Sequence, residues 1–179
     1  MEFVGFPKIA RLSREVIITE KIDGTNGCIY IGEGGEFLVG SRTRWITLET
    51  DNHGFARWAY DHKEELLTLG PGLHFGEWWG SGIQRGYGLP KGEKRFSLFN
   101  VRKWFDNSIR PKCCHVVPVI LSADTFDSSD VRGALNLLKE NGSFAAPGFE
   151  NPEGIIIYHI AANIMFKKTI LKDEKGKGE

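Results

Sequence analysis

Cysteine is scarce in this chain and poorly placed for a framework. There are three, Cys28, Cys113 and Cys114. An odd number with two adjacent argues against a disulfide scaffold, and without a CxxC pair nothing points to a thiolate zinc site. The five histidines show no HxxxH or HExxH spacing, which argues against a histidine metal centre. Charge of one sign is missing as well: 23 basic residues balance 23 acidic ones. A nucleic-acid partner would therefore need a local basic face. No apolar run approaches the roughly 20 residues that span a bilayer, and "MEFVGFPKIARLSREV" lacks the apolar centre of a signal peptide. The expected setting is a reducing, cytoplasmic compartment away from membranes.

The chain does have many short apolar runs. Strand-like segments recur at 15–19, 28–32, 36–40, 73–79, 95–101, 115–121, 154–160 and 163–168, with "IGEGGEF" as a Gly-rich hairpin turn. Two helices are expected. One starts at Asp51 or Asn52 and carries Phe55, Trp58, His62, Leu66 and Leu69 at helical spacing. The other starts at Ser128 or Ser129, aligns Val131, Leu135 and Leu138, and stops at Asn141-Gly142. Strands in such excess predict an α+β fold of mainly antiparallel β-sheets flanked by helices. At 179 residues, one well-buried domain is expected.

Polar residues gather at strand ends, where burial makes charge costly unless it is paired or metal-bound. "EKIDGTN" holds Lys21 and Asp23; "GSRTRW" holds Arg42 and Arg44. "FGEWWGSGIQRGYG" sets Glu77 in an aromatic strand ahead of a glycine loop. "NPEGIIIY" puts Glu153 at the mouth of an apolar strand, and "IMFKKT" ends one with Lys167 and Lys168. Each has a plain structural explanation: an Asp-Gly turn, a solvated strand start, a lysine-guarded edge. All five together suggest one shared anionic ligand with a divalent cation.

The order Lys-x-Asp-Gly, Arg, Gly-Glu, Phe-x-x-Phe-Asn, Glu-Gly and a lysine pair resembles the covalent nucleotidyltransferases, the ATP-dependent DNA and RNA ligases and mRNA capping enzymes. "EKIDGTN" and "FGEWWGSGIQ" resemble the RNA-ligase branch, which includes phage nick-sealing and editing ligases. The resemblance covers about 18–171. It implies the adenylation-domain fold over 1–172, a disordered polar tail over 173–179, and no OB or other C-terminal domain. It implies an ATP-dependent polynucleotide ligase, an RNA ligase in the first instance. A minimal DNA ligase is the enzyme alternative, and a nucleotide-binding module that has lost catalysis is the non-enzyme one. Lys21 would take AMP from ATP with Mg²⁺ or Mn²⁺, pass it to a 5′-phosphate, and a 3′-hydroxyl would then seal the strand, as in a nicked duplex. Glu153 would engage the metal, and Lys167, Lys168 or both would contact phosphate. Glu20, Ile22, Asp23, Gly24 and Asn26 would surround the nucleotide, with Arg42 on ribose or terminal phosphate and Glu77 on ribose. Phe96, with Phe99 as the nearby alternative, would stack on adenine. Arg44, Arg85 and Tyr87 would face nucleic acid, beside "RKW" at 102–104, Arg110 and Lys112. A monomer is the simplest state. The family's last motif is usually Lys-x-Lys, and many relatives carry Asp at the Asn100 position; here the chain departs from both.

Overall fold

The computed structural model describes residues 1–171 and Asp173. The remainder of the expected polar tail lies outside the described residues. Two sheets form the frame. The smaller has four strands in the order β10-β9-β1-β8, with β1 at Val16–Lys21, β8 at Val119–Ala123, β9 at Gly154–His159 and β10 at Ile164–Thr169. All its pairings are antiparallel. The larger runs β4-β3-β2-β5-β6-β7: β2 at Thr25–Ile31, β3 at Phe37–Gly40, β4 at Trp45–Ile46, β5 at Gly72–Gly80, β6 at Lys94–Leu98 and β7 at Cys114–Val116. Only β6 and β7 pair in parallel among the described strands of this sheet.

Alternation along each strand sends successive side chains to opposite faces. One face of the larger sheet (Ile29, Ile31, Val39, Trp78, Phe96 and Leu98) packs under helix α1, Phe55–Asp61, whose Phe55 and Ala59 are fully buried. The other face meets the smaller sheet at one end only, where Trp79 packs with Ile17, Ile22, Tyr87, Val101 and Val117. The smaller sheet's far face, carrying Ile18, Ile155 and Ile157, is covered by Ala134, Leu135 and Leu138 of the long helix at Ser128–Asn141.

The first expected helix is shorter than its periodicity suggests. α1 ends at Asp61, α2 follows at Lys63–Leu66, and a 3₁₀ turn completes the segment. The helix also starts later than expected, with Gly54 rather than Asp51 or Asn52 at the N-cap; the Asp51 carboxylate still reaches the first turn, accepting from the backbone N–H groups of Ala56 (2.7 Å) and Arg57 (3.2 Å). The expected strand at 95–101 stops at Leu98, because Asn100 accepts from the N–H of Lys103 and starts the short helix α3, Val101–Trp104. The expected strand at 115–121 divides at Pro118, which has no N–H to donate: β7 joins the larger sheet and β8 the smaller. The long helix is α4, with Asp127 rather than a serine as its cap and Asp130 reciprocating in a capping box. No helix among the described residues is long and apolar enough to cross a membrane.

The seat of Phe96 depends on glycine. A methyl at Gly76 would stand 2.6 Å from the Ser97 carbonyl oxygen and 2.7 Å from the Phe96 ring. Gly76→Ala is expected to cost about 1–3 kcal/mol through overpacking. The check is chemical denaturation: the midpoint should fall while the slope is unchanged, and a midpoint equal to wild type would contradict this packing.

Candidate active site

The chain leaves β1 for β2 through Ile22, Asp23 and Gly24, and the polar cluster is built around that crossing. Ile17, Thr19 and Lys21 share the face of β1 that looks toward the larger sheet; Ile18 and Glu20 share the other. Lys21, the last residue of β1, stands opposite Gly154 at the start of β9. Its Nζ donates to the carboxylate of Glu153, and both side chains are largely sheltered.

The turn is fixed by its backbone. Gly24 N–H donates to Glu77 Oε1 (3.1 Å), and Asp23 N–H donates to the Tyr87 hydroxyl (2.8 Å). A Cβ at Gly24 would lie 2.5 Å from the Trp78 carbonyl oxygen, so only glycine brings the turn this close to β5. Asn26 donates its side-chain amide to Glu77 Oε2 (2.9 Å), in register with Glu77 across β2 and β5. Burial pushes the Glu77 carboxyl up to about 7, against the pull of Lys21 and these hydrogen bonds. On the same face Phe75 is exposed, and Phe99, whose N–H bonds the Phe75 carbonyl, is exposed beside it.

The lysine pair separates by parity. Lys167 stands opposite Ile156, which stands opposite Thr19, so it shares the Lys21 face. Lys168 stands opposite Ile155, on the α4 face, and bonds Asp173 at 2.7 Å. Thr169 occupies the next position on the Lys21 face, opposite Gly154.

Several expected contacts take other partners. Glu20 is 1% exposed and points away from the turn. Its carboxylate accepts from Ser143 Oγ (2.6 Å) and from the N–H groups of Phe144 (2.8 Å) and Ala145 (2.9 Å). Burial raises its pKa while these bonds oppose the rise. Glu20 therefore pins the loop after α4 rather than a nucleotide. The Ile22 side chain is buried in the cluster between the sheets. Phe96 is fully buried, its ring 5.0 Å from Phe55, on the face opposite Glu77; Phe99 is the aromatic that the cleft can reach. Tyr87 is 2% exposed and packed against Trp79 and Phe149, so its ring is closed to a base.

Arg85, expected to face nucleic acid, takes partners within the protein. Its Nε bonds Asp23 Oδ2 (2.9 Å), while one terminal nitrogen reaches the Asn151 carbonyl (2.9 Å) and Asn151 Oδ1 (3.1 Å). It clasps the turn after Lys21 to the segment before Glu153, and its guanidinium is committed to protein. Arg110 is likewise engaged, with the carbonyls of Trp104 and Cys114. Arg42 and Arg44 lie in the turn between β3 and β4, and both are exposed. Among the described residues no three His, Cys, Asp or Glu side chains converge on a metal position. A cation here would rest on Glu153 and on oxygens brought by a ligand.

The family model described as RNA ligase matches residues 14–172. A comparison with curated proteins finds no match. Among solved structures, an arginine-to-alanine variant of Naegleria gruberi RNA ligase with ATP and Mn is 20% identical, with a TM-score of 0.64 over 88% of this chain and 50% of that one. A lysine-to-methionine variant of the same ligase with AMP and Mn is 20% identical, with a TM-score of 0.64 over 94% and 53%. The ligase with PPi is 18% identical, with a TM-score of 0.63 over 88% and 50%. At these identities the likeness is one of fold. The chain spans about half the length of the structures it matches.

The raised Glu77 pKa has a signature in stability. In the unfolded chain this carboxyl ionises near 4.5, and in the folded chain near 7. Between these values the folded state alone keeps the proton, so this group's contribution falls as pH rises from 4.5 to 7 and is level above that. Glu77→Gln should remove that slope. The measurement is the melting temperature of wild type minus variant from pH 4.5 to 8, and a flat difference would contradict the burial argument.

Proposed function

The chain belongs to the RNA ligase family, and on that premise we propose that it is an ATP-dependent RNA ligase that carries AMP on Lys21. The observation that carries the reading is the Lys21–Glu153 contact at the mouth of the cleft, with Glu77 and Asn26 across the turn. Lys21 Nζ attacks the α-phosphorus of ATP. A nitrogen–phosphorus bond forms, the bond to the bridging oxygen breaks, and pyrophosphate leaves. The AMP then passes to a 5′-phosphate, and a 3′-hydroxyl displaces it to join the ends.

Attack requires a neutral amine, whereas a free lysine is an ammonium ion until about pH 10.4. Glu153 fits a divalent cation, because Mg²⁺ is usually held by one or two carboxylates, nucleotide phosphates and water. Such an ion supplies positive charge against the charge that builds on phosphate oxygens. Lys167 is the second cation on this face. Each Glu77 oxygen, already accepting one bond, keeps a lone pair for a ribose hydroxyl. Phe99, beside Phe75, offers the stacking surface for adenine, and Arg42 is the candidate for ribose or terminal phosphate.

Incubation with ATP and Mg²⁺ should add the mass of one AMP, mapped to Lys21. Lys21→Ala should fold and stay unlabelled; AMP mapped to another lysine would overturn the mechanism. Arg85→Ala is expected to slow lysyl-AMP formation about ten-fold or more, since it frees both Asp23 and the approach to Glu153. A substrate contact would instead leave adenylation untouched and lower joining alone, so timing the two steps separately decides between them.

A further inference from the structure

The face of the larger sheet that carries Glu77 and Asn26 continues past them without a cover. The next pair along β2 and β5 is Cys28 and Phe75, and the pair after that is Tyr30 and Leu73. Two residues of strand separate successive pairs on this face, about 7 Å. Trp45 of β4 completes the row, and a Cβ at its partner Gly40 would lie 3.1 Å from the indole, so the ring rests over a bare backbone. Tyr30 holds that ring from the side, with centroids 6.2 Å apart. The result is a recess of about 310 Å³ walled by Trp45, Phe75, Leu73 and Cys28, with Arg44 at its rim.

A buried wall would be ordinary core, but this one is open: Trp45 is 50% exposed, Phe75 52% and Leu73 53%. Contiguous exposed apolar surface of this kind marks a contact site. Its charge and position select the occupant. The lining holds a guanidinium and no carboxylate, which suits a phosphate-bearing partner. Aromatic platforms beside basic residues are how single strands are held without reading sequence. The volume lies at the low end for ligand pockets, enough for one base and its sugar. The recess also opens onto the cleft one ladder step from Glu77, on the face where the strand end must arrive.

Resting on the ligase reading, we propose that the Trp45–Phe75 recess holds a nucleobase of the polynucleotide strand adjoining the end being joined, with Arg44 on its phosphate. The recess grips substrate and takes no part in making the lysyl-adenylate. It also assigns a place on this chain for strand binding, apart from the Arg85 guanidinium and the Tyr87 ring, which hold partners within the protein.

The test separates the two steps and adds a direct probe. Trp45→Ala and Trp45→Phe are compared with wild type, first for lysyl-AMP formation by intact mass, then for transfer of that AMP to a 5′-phosphorylated oligoribonucleotide. Trp45→Ala should keep adenylation within two-fold and lower transfer about ten-fold or more, the scale of one lost base stack. Trp45→Phe should recover most of that loss. Irradiation of wild type with the oligoribonucleotide carrying 5-iodouracil at its terminal base should give an adduct on Trp45 or Phe75. Parallel loss of both steps would assign the recess to ATP and overturn the proposal. Unchanged transfer, with adducts elsewhere, would also overturn it. So would unchanged transfer with altered self-association of the chain, which would make the patch a protein interface. If wild type forms no lysyl-AMP, the ligase reading fails, and the adduct alone then decides whether the recess binds a strand.

Discussion

Three residues, Ile22, Asp23 and Gly24, carry the chain from one sheet to the other, and the position of every group in the cleft depends on how tightly they are held. Three ties secure them, Gly24 to Glu77 and Asp23 to Tyr87 and to Arg85, and a fourth joins the preceding Lys21 to Glu153. The ties come from β5, from the loop after it and from the residue just before β9. A shift in any one moves the lysine relative to the rest. Held groups of this kind give chemistry its geometry before substrate arrives, which is where most of the acceleration in group transfer comes from.

Sheltered carboxylates flank that crossing, and the sequence offers no other way to read their importance than their odd company. Glu20 and Glu77 are both buried, and both are pushed toward the neutral form by burial. Each is nonetheless supplied with donors from distant segments. Among the described residues no buried side-chain nitrogen or oxygen lacks a partner, so the polar network is closed rather than frustrated. One carboxylate fastens the loop after α4 to the back of β1, and the other fastens β2 and the turn to β5. Between them they fix both sides of a single lysine.

How much was legible in the sequence follows from what local pattern can and cannot encode. Apolar runs gave most strands, and helix α4 was visible from its period and its Asn141-Gly142 stop. Lys21, Asp23, Glu77 and Glu153 stood out because charges at apolar strand ends need partners, and the fold brings their three segments together. Faces were another matter. Whether Phe96 or Phe99 looks into the cleft depends on the register of β6 on β5, and whether Lys167 or Lys168 does depends on the register of β10 on β9. Register is a tertiary fact, and a one-residue slip reverses every assignment. Arg85 and Tyr87 misled for a different reason. A basic and an aromatic residue in a glycine loop have the composition of a nucleic-acid contact, but their partners lie about sixty residues away on either side. Two internal signals were available: the abundance of glycine around them favours a chain packed closely on itself, and Pro118 marks the switch between sheets.

β1 takes both of its neighbours, β8 and β9, from the last third of the chain. At usual rates of synthesis, the more than 130 residues between Lys21 and the far end of β9 take on the order of ten seconds to emerge. Until β8 emerges the strand that carries the lysine has no partner on either side, and until β9 follows it keeps one open edge; unpaired strand edges are where nascent chains stick to one another. Closing the smaller sheet is thus a late event with a large loop to gather, the kind of step that slows folding. The same order of assembly gives the protein a temporal safeguard. A half-made chain has Lys21 but not Glu153, so under the proposed mechanism lysine modification would wait until β9 has joined the sheet.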